Sequence, residues 1–241
     1  MRGKENGLEK VAVITGGGSG IGLAMTRVFA ANRYSVVITG REAKRLQKAA
    51  SGISDDKKQV TCIPCDIRDP ASVENLLSEI GKQHSKIDVL INNAGVAHGL
   101  APVDELSVET WKEVVDTNLT GTFLVTRAAL PLMRAGGTIV NNLSVAALQP
   151  FAGMSAYNAS KFGALGFTHA LREDLRKRGI RVLALLPGAT DTDIWSQFWK
   201  DAPKEKMISA ETVAQAVLHA VSAPANTAIE EIRIGPAAGV L

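Results

Sequence analysis

Short uninterrupted apolar runs alternate with longer amphipathic segments along the whole 241-residue chain. Such alternation is the mark of a parallel sheet covered by helices on both faces. The pattern predicts strands over Lys10–Thr15, Ser35–Thr39, Gln59–Pro64, Ile87–Asn92, Thr138–Leu143, Ile180–Leu186 and Ala228–Ile234. Between them it predicts helices over about Gly20–Asn32, Glu42–Gly52, Pro70–His84, Val108–Arg134, Ala156–Arg178 and Ala210–Ser222. Most of the strand runs show no polar alternation, as expected of strands buried on both faces. The expected fold class is therefore α/β, with a doubly wound, seven-stranded parallel sheet flanked by helices. No internal repeat or Pro/Gly-rich linker divides the chain, so residues 1–241 read as one domain, with 1–9 a flexible N-terminal segment.

Composition agrees with an ordinary globular core: 46% of the residues are hydrophobic and 21% charged. The net charge of +3 is spread without a basic tract, which argues against a nucleic-acid partner. No segment approaches the roughly 20 apolar residues of a membrane span, and Met1–Lys10 lacks a signal-peptide apolar region. The expected location is the cytoplasm, with no membrane partner. Cys62 and Cys65 form an isolated C-x-x-C, and His84, His98, His169 and His219 show no metal-type spacing. No metal is expected, and the cysteines read as packing thiols.

Chemistry begins where the first strand ends. The run Lys10–Thr15 passes straight into Gly16-Gly17-Gly18-Ser19-Gly20-Ile21-Gly22, which opens the first helix. A glycine-rich turn at that junction presents backbone N–H groups and the positive helix end to a pyrophosphate, and missing side chains allow close approach. Gly16, Gly18, Ser19, Gly20, Ile21 and Gly22 are the candidates for this contact.

The spacing Thr15-Gly16-x-x-x-Gly20-x-Gly22 resembles the first signature of the short-chain dehydrogenase/reductase family. Further matches follow in order: Asn92-Asn93-Ala94-Gly95, Asn118, Ser144, Tyr157-x-x-x-Lys161 and Pro187-Gly188. The resemblance spans about residues 10–235 and implies a Rossmann-type domain that binds a nicotinamide dinucleotide. It further implies that Asp66 bonds the adenine amine, that Ile67 contributes backbone, and that Asn92, Ala94 and Gly95 line the central cofactor. Pro187, Gly188, Thr190 and Thr192 would hold the nicotinamide amide. All these positions follow the carboxyl ends of strands, where open α/β sheets place ligands.

Tyr157 and Lys161 lie four apart on a helical stretch, so both side chains reach one cleft. A phenol with a pKa of about 10 is a poor catalyst near neutrality. An ammonium about 4 Å away, at an effective dielectric near 20, is worth about 4 kcal/mol, or about three pKa units. Tyr157 would then exchange a proton with a carbonyl or alcohol oxygen. Ser144, thirteen residues earlier at a strand end, would hold that oxygen. By resemblance, Lys161 also bonds the nicotinamide ribose, and Asn118 breaks the local helix hydrogen bonding and holds a water that passes protons to Lys161. Leu143 stands where a second serine often precedes the catalytic one.

Cofactor choice is read after the second strand, at Thr39-Gly40-Arg41. Gly40 brings no carboxylate, and Arg41 suits a ribose 2′-phosphate, so NADP(H) is expected in preference to NAD(H). Glu42 is a candidate rival partner for Arg41, and Ser19 replaces the second basic residue of some NADP-preferring relatives. Residues 193–207 resemble a substrate lid. Within it, Ile194, Trp195, Phe198 and Trp199 fit one face of a short helix, which points to an apolar carbonyl or alcohol substrate or, equally, to core packing. Small residues at Gly163, Ala164 and Gly166 would let another helix approach, as in the homodimers and homotetramers of similar proteins. Two alternatives stand beside this reading. One is a β-ketoacyl-acyl-carrier-protein reductase whose Arg127 and Arg172 meet an acidic carrier, and the other is a non-catalytic nucleotide sensor.

Overall fold

The computed structural model describes residues 10–53 and 59–239, so the N-terminal segment expected over 1–9 lies outside the described residues. Seven parallel strands form one sheet: β1 (Val11–Thr15), β2 (Ser35–Gly40), β3 (Val60–Pro64), β4 (Ile87–Asn92), β5 (Met133–Asn142), β6 (Arg181–Pro187) and β9 (Glu231–Ile234). A small pair, β7 (Thr190–Asp191) with β8 (Ile208–Ser209), lies apart from it. The order β3-β2-β1-β4-β5-β6-β9 reverses direction beside β1. The crevice beyond the carboxyl ends of β1 and β4 is therefore the place where this topology accepts a ligand.

The apolar runs form strands because both faces are covered. All of β1 is buried, and alternate residues of the sheet enter two different cores. Ala12, Ile14, Val36 and Ile38 pack with α1 (Gly20–Ala31) and α7 (Ala210–Val221) on one side. Val13, Val37 and Leu90 pack with α3 (Pro70–Gln83), α5 (Gly121–Ala129) and α6 (Ser155–Arg176) on the other. Helix α2 (Ala43–Ser51) completes the first layer through Leu46 and Ala49. Among the described residues, no helix is long and apolar enough to cross a membrane. The two thiols serve different cores: Cys62 leans on the α1/α7 side, and buried Cys65 joins the other and accepts a hydrogen bond from Ser72.

Helix starts follow side-chain chemistry. Asp69 accepts from the N–H groups of Ala71 and Ser72 ahead of α3, with Pro70 in its first turn. Ser107 does the same for α4 (Val108–Val115), and Ser209 for α7. Ser19, ahead of α1, makes no such bond, so the first-turn N–H groups keep no side-chain partner where they face the crevice.

The long helix expected over Val108–Arg134 is a correction. It breaks at Asp116–Thr120 into a π-helical turn, in which the Gly121 N–H donates to the carbonyl of Asp116, and it ends at Leu132 because β5 begins at Met133. Pro131 cannot donate to a continuing helix, and residues 133–137 carry the chain into the sheet. The small residues on α6 divide between packing and exposure. The space beside Gly163 is filled by Leu119 from the π-turn, Ala164 faces the core, and only Gly166 is open.

Candidate active site

A cleft of about 1150 Å³ runs along the carboxyl ends of the strands. Of the expected residues it is lined by Gly16, Gly18, Ser19, Gly20, Ile21, Arg41, Asp66, Ile67, Ala94, Gly95, Ser144, Tyr157, Lys161, Pro187, Gly188, Thr190 and Thr192. Gly22, Asn92 and Asn118 stand behind its wall.

The glycine-rich turn is shaped by close packing. Gly16 and Gly20 have φ of +65° and +49°, a region that side-chain-bearing residues rarely adopt. Gly22 has no room at all: a Cβ there would lie 2.3 Å from the Gly16 carbonyl oxygen and 2.4 Å from Asn93 Nδ2. Asn93, to which the sequence reading assigned no role, ties the site together. Its Nδ2 donates to the carbonyls of Thr15 and Gly16, its Oδ1 accepts from Asn142, and its N–H donates to Thr15 Oγ1. Asn92 turns inward instead, donating to Thr126 Oγ1 and Asn141 Oδ1, so its side chain does not reach the cleft. Asn92 is the last residue of β4 and Asn93 the first beyond it.

Tyr157 and Lys161 enter the cleft from the first turns of α6, and Ser144 from the end of β5. Ser144 Oγ accepts from the Ala146 N–H at 3.1 Å, and its hydroxyl acts to lower the Tyr157 phenol pKa. With one lone pair of Oγ engaged by the backbone, the serine proton can point at the phenol oxygen, which favours phenolate. Asn158, beside Tyr157, fixes the loop that carries Ser144: its Nδ2 donates to the carbonyls of Ala146 and Gln149, and its Oδ1 accepts from the Phe151 N–H.

The electrostatics differ from the expectation. Burial pushes the Tyr157 phenol above its ordinary value, and Ser144 is the group that lowers it. Lys161 is brought down to about 8 by burial and donates to the Asn142 carbonyl at 3.1 Å, with Nζ 5.6 Å from the Tyr157 ring centre. Desolvation acts against the charged form of both groups, and Lys161 is turned toward a backbone carbonyl.

Asn118 sits inside the π-turn. Its side chain makes a reciprocal pair with the backbone of Val96, accepting at 2.9 Å and donating at 2.9 Å, and also donates to Ser160 Oγ at 3.0 Å. That clamp fixes Gly95 beside α6, where a Cβ would come within 3.2 Å of Asn118 Oδ1 and 3.6 Å of Lys161 Nζ. The missing side chain leaves Lys161 Nζ uncovered on the Gly95 side. Together with the uncapped start of α1 and the positive-φ glycine turn, this cradle suits a dinucleotide.

At one end of the cleft, Arg41 pairs with Glu113 at 3.9 Å and not with the adjacent Glu42. Two cleft-lining arginines appear there that the sequence reading did not single out. Arg45 lies 3.7 Å from Asp193, and Arg68 binds Asp66 through both Nε and Nη2. Arg68 was legible only as the residue two past Asp66. Asp66 is held below the usual carboxylate range, chiefly by the Arg68 hydrogen bond.

Leu100, Phe151, Met154, Ile194, Trp195 and Phe198 give the cleft an apolar wall. The segment Asp193–Gln197 is a 3₁₀ turn, and it is tied down by Trp195 Nε1 donating to the Thr190 carbonyl and by Gln197 Oε1 accepting from the Ala97 N–H. Leu143 packs with Ala147, Ala164, Ala184 and Leu186 while lining the cleft. Arg172 is not available to an acidic carrier: its side chain donates to the carbonyls of Val182 and Glu230 and pairs with the Glu230 carboxylate. Among the described residues there is no group of three or more His, Cys, Asp or Glu positioned to hold a metal.

A doubly wound sheet with a glycine turn at its switch point and a serine, tyrosine and lysine converging on the same crevice defines a nucleotide-dependent oxidoreductase architecture. The chain belongs to the short chain dehydrogenase family, whose profile matches residues 10–203. It is 32% identical over 240 residues to sulfoacetaldehyde reductase 2 of Chromohalobacter salexigens, covering 95% of each chain. Its fold superimposes on the closed form of a serine dehydrogenase complexed with NADP+ with a TM-score of 0.87, at 31% identity and 96% coverage of both chains. A 3-ketoacyl-(acyl-carrier-protein) reductase from Brucella melitensis complexed with NADH is similar at 28% identity and a TM-score of 0.85, covering 93% of this chain and 96% of that one.

Proposed function

We propose that the protein is an NADP(H)-dependent oxidoreductase that interconverts a small carbonyl compound and its alcohol, with Tyr157 as the acid-base group. The observation that carries this reading is the convergence of Ser144, Tyr157 and Lys161 on the cleft that begins at the Gly16–Gly22 turn. The NADP+ complex of the serine dehydrogenase supports a nicotinamide cofactor, and the NADH complex shows that the likeness alone does not choose between the two. Arg41 is the reason for preferring NADP(H).

When bound, the nicotinamide supplies or accepts the hydride. The chain's own residues do the rest. The first turn of α1 and the backbone of Gly16 to Ile21 take the pyrophosphate. Asp66 and Ile67 border the adenine, while Pro187, Gly188, Thr190 and Thr192 border the nicotinamide. Ser144 holds the substrate oxygen, and Tyr157 Oη gives that oxygen a proton during reduction or removes one during oxidation. Lys161, with a pKa of about 8, exchanges its own proton near working pH and reaches the ribose on the side that Gly95 leaves uncovered. Asn118 acts through the backbone as a positioning residue and is the candidate holder of a relay water. Residues 193–207 close over a substrate whose non-reacting part is apolar. The same reading makes residues 1–241 one cytoplasmic domain and pairs it into homodimers or homotetramers, supported by exposed Trp111, Phe123 and Phe162 on neighbouring helices.

The test is Tyr157→Phe, assayed by NADPH absorbance against diketones, ketoesters, quinones and short aldehydes. The variant should keep its fold and nucleotide affinity and lose about a hundred- to ten-thousand-fold in kcat. Near-normal kcat would refute the assignment.

A further inference from the structure

Two guanidiniums from different loops converge on a single carboxylate oxygen beside the cleft. Glu113 Oε1, on α4, lies 3.9 Å from Arg41 Nη1 and 3.8 Å from Arg68 Nη1. Neither distance is a direct hydrogen bond, and the Glu113 side chain is 51% exposed, so the carboxylate is drawn to the pair without being locked to it. Arg68 is not free to rotate. Its Nε and Nη2 are held by both oxygens of Asp66, and only Nη1 is turned toward Glu113. Both arginines line the cleft, whereas Glu113 stands outside its lining.

We propose that Arg41 and Arg68 together form the 2′-phosphate site and that Glu113 is a specificity-determining residue which competes with that phosphate for them. The inference rests on the proposed use of NADP(H). A ribose 2′-phosphate carries about −1.5 to −2 charges near neutrality and accepts hydrogen bonds from guanidinium forks. A carboxylate 3.8–3.9 Å from both forks must move away from them or repel the phosphate they bind, and either effect lowers affinity for NADP(H) with little effect on NAD(H). Arg41 alone was the expectation from the sequence. The paired geometry adds Arg68, held in place by Asp66, and an internal competitor three positions before Asp116, where the π-turn begins.

The experiment measures NADP+, NAD+, 2′,5′-ADP and 5′-AMP binding by calorimetry to the full chain and to Glu113→Gln, an isosteric change at an exposed helix position. The variant should bind NADP+ and 2′,5′-ADP about ten-fold more tightly and NAD+ and 5′-AMP within about two-fold of the parent. The gain should shrink at about 1 M salt, where the screening length falls to about 3 Å. Arg68→Met should weaken 2′,5′-ADP more than 5′-AMP. Unchanged or weaker NADP+ binding by Glu113→Gln overturns this inference alone, and so does an equal loss of both small ligands in Arg68→Met. A parent that binds neither dinucleotide overturns the proposed function and the inference together.

Discussion

Replacing Lys161 by methionine should stabilise the fold while abolishing turnover. Lys161 is buried, and burial lowers its pKa from 10.5 to about 8. At about 1.36 kcal/mol per unit, holding the ammonium inside the protein at neutral pH costs about 3 kcal/mol. The sign follows from proton counting. The folded pKa lies below the unfolded one, so between pH 8 and 10.5 the unfolded chain binds more protons and stability rises with pH across that window. Methionine fills a similar volume without charge but leaves the Asn142 carbonyl without its 3.1 Å donor, a loss of about 1 kcal/mol. The variant should therefore be more stable than the parent by about 2 kcal/mol at pH 7, or about 4–8 °C in Tm for a chain of this size. The advantage should fall through zero and become a deficit of about 1 kcal/mol near pH 10.5. Urea titrations followed by tryptophan fluorescence at pH 7, 8, 9 and 10 measure the difference directly. A difference that is flat with pH, or a less stable variant at pH 7, would refute the claim that Lys161 is held against its own desolvation.

Two further substitutions probe the cofactor end. Gly22→Ala puts a methyl group within 2.4 Å of both a backbone oxygen and the Asn93 amide, contacts that must open the turn. The expected cost is about 1–3 kcal/mol of stability by thermal denaturation, with loss of dinucleotide affinity by calorimetry, and a variant with parental Tm would contradict the packing argument. Arg41→Ala removes one guanidinium from the proposed phosphate site. It should lower kcat/KM for NADPH by about ten- to a hundred-fold while changing NADH use little, and an unchanged cofactor ratio would remove Arg41 from the site.

Much of this protein is legible from residue order because the deciding interactions are local or periodic. Uninterrupted runs such as Val11–Thr15 require burial on both faces, and that fixed the parallel sheet and its helical layers. Gly16 to Gly22 between a strand and a helix, and Tyr157 one turn before Lys161 with Ser144 upstream, mark the candidate cofactor and acid-base positions through their order and spacing. The boundary at Met133 was not legible, since amphipathic periodicity runs through it and the pairing of β5 with its neighbours selects the strand; the break at Asp116–Thr120 was implied only by the resemblance at Asn118, and its π form and the Asn118 clamp on Val96 are tertiary. Which asparagine of Asn92-Asn93 reaches the cleft was decided by the end of β4 at Asn92. The electrostatics were also tertiary: a four-residue spacing places Lys161 near Tyr157, but the depth of burial and the Asn142 carbonyl decide which charge is disfavoured. The Arg41–Glu113–Arg68 cluster brings together residues from three separate segments, which no local pattern could connect. Sequence determined the elements and pointed to the candidate reacting groups through short-range periodicity and spacing. Partners, orientations and protonation were decided by long-range packing, because each depends on which distant group excludes water from the same small volume.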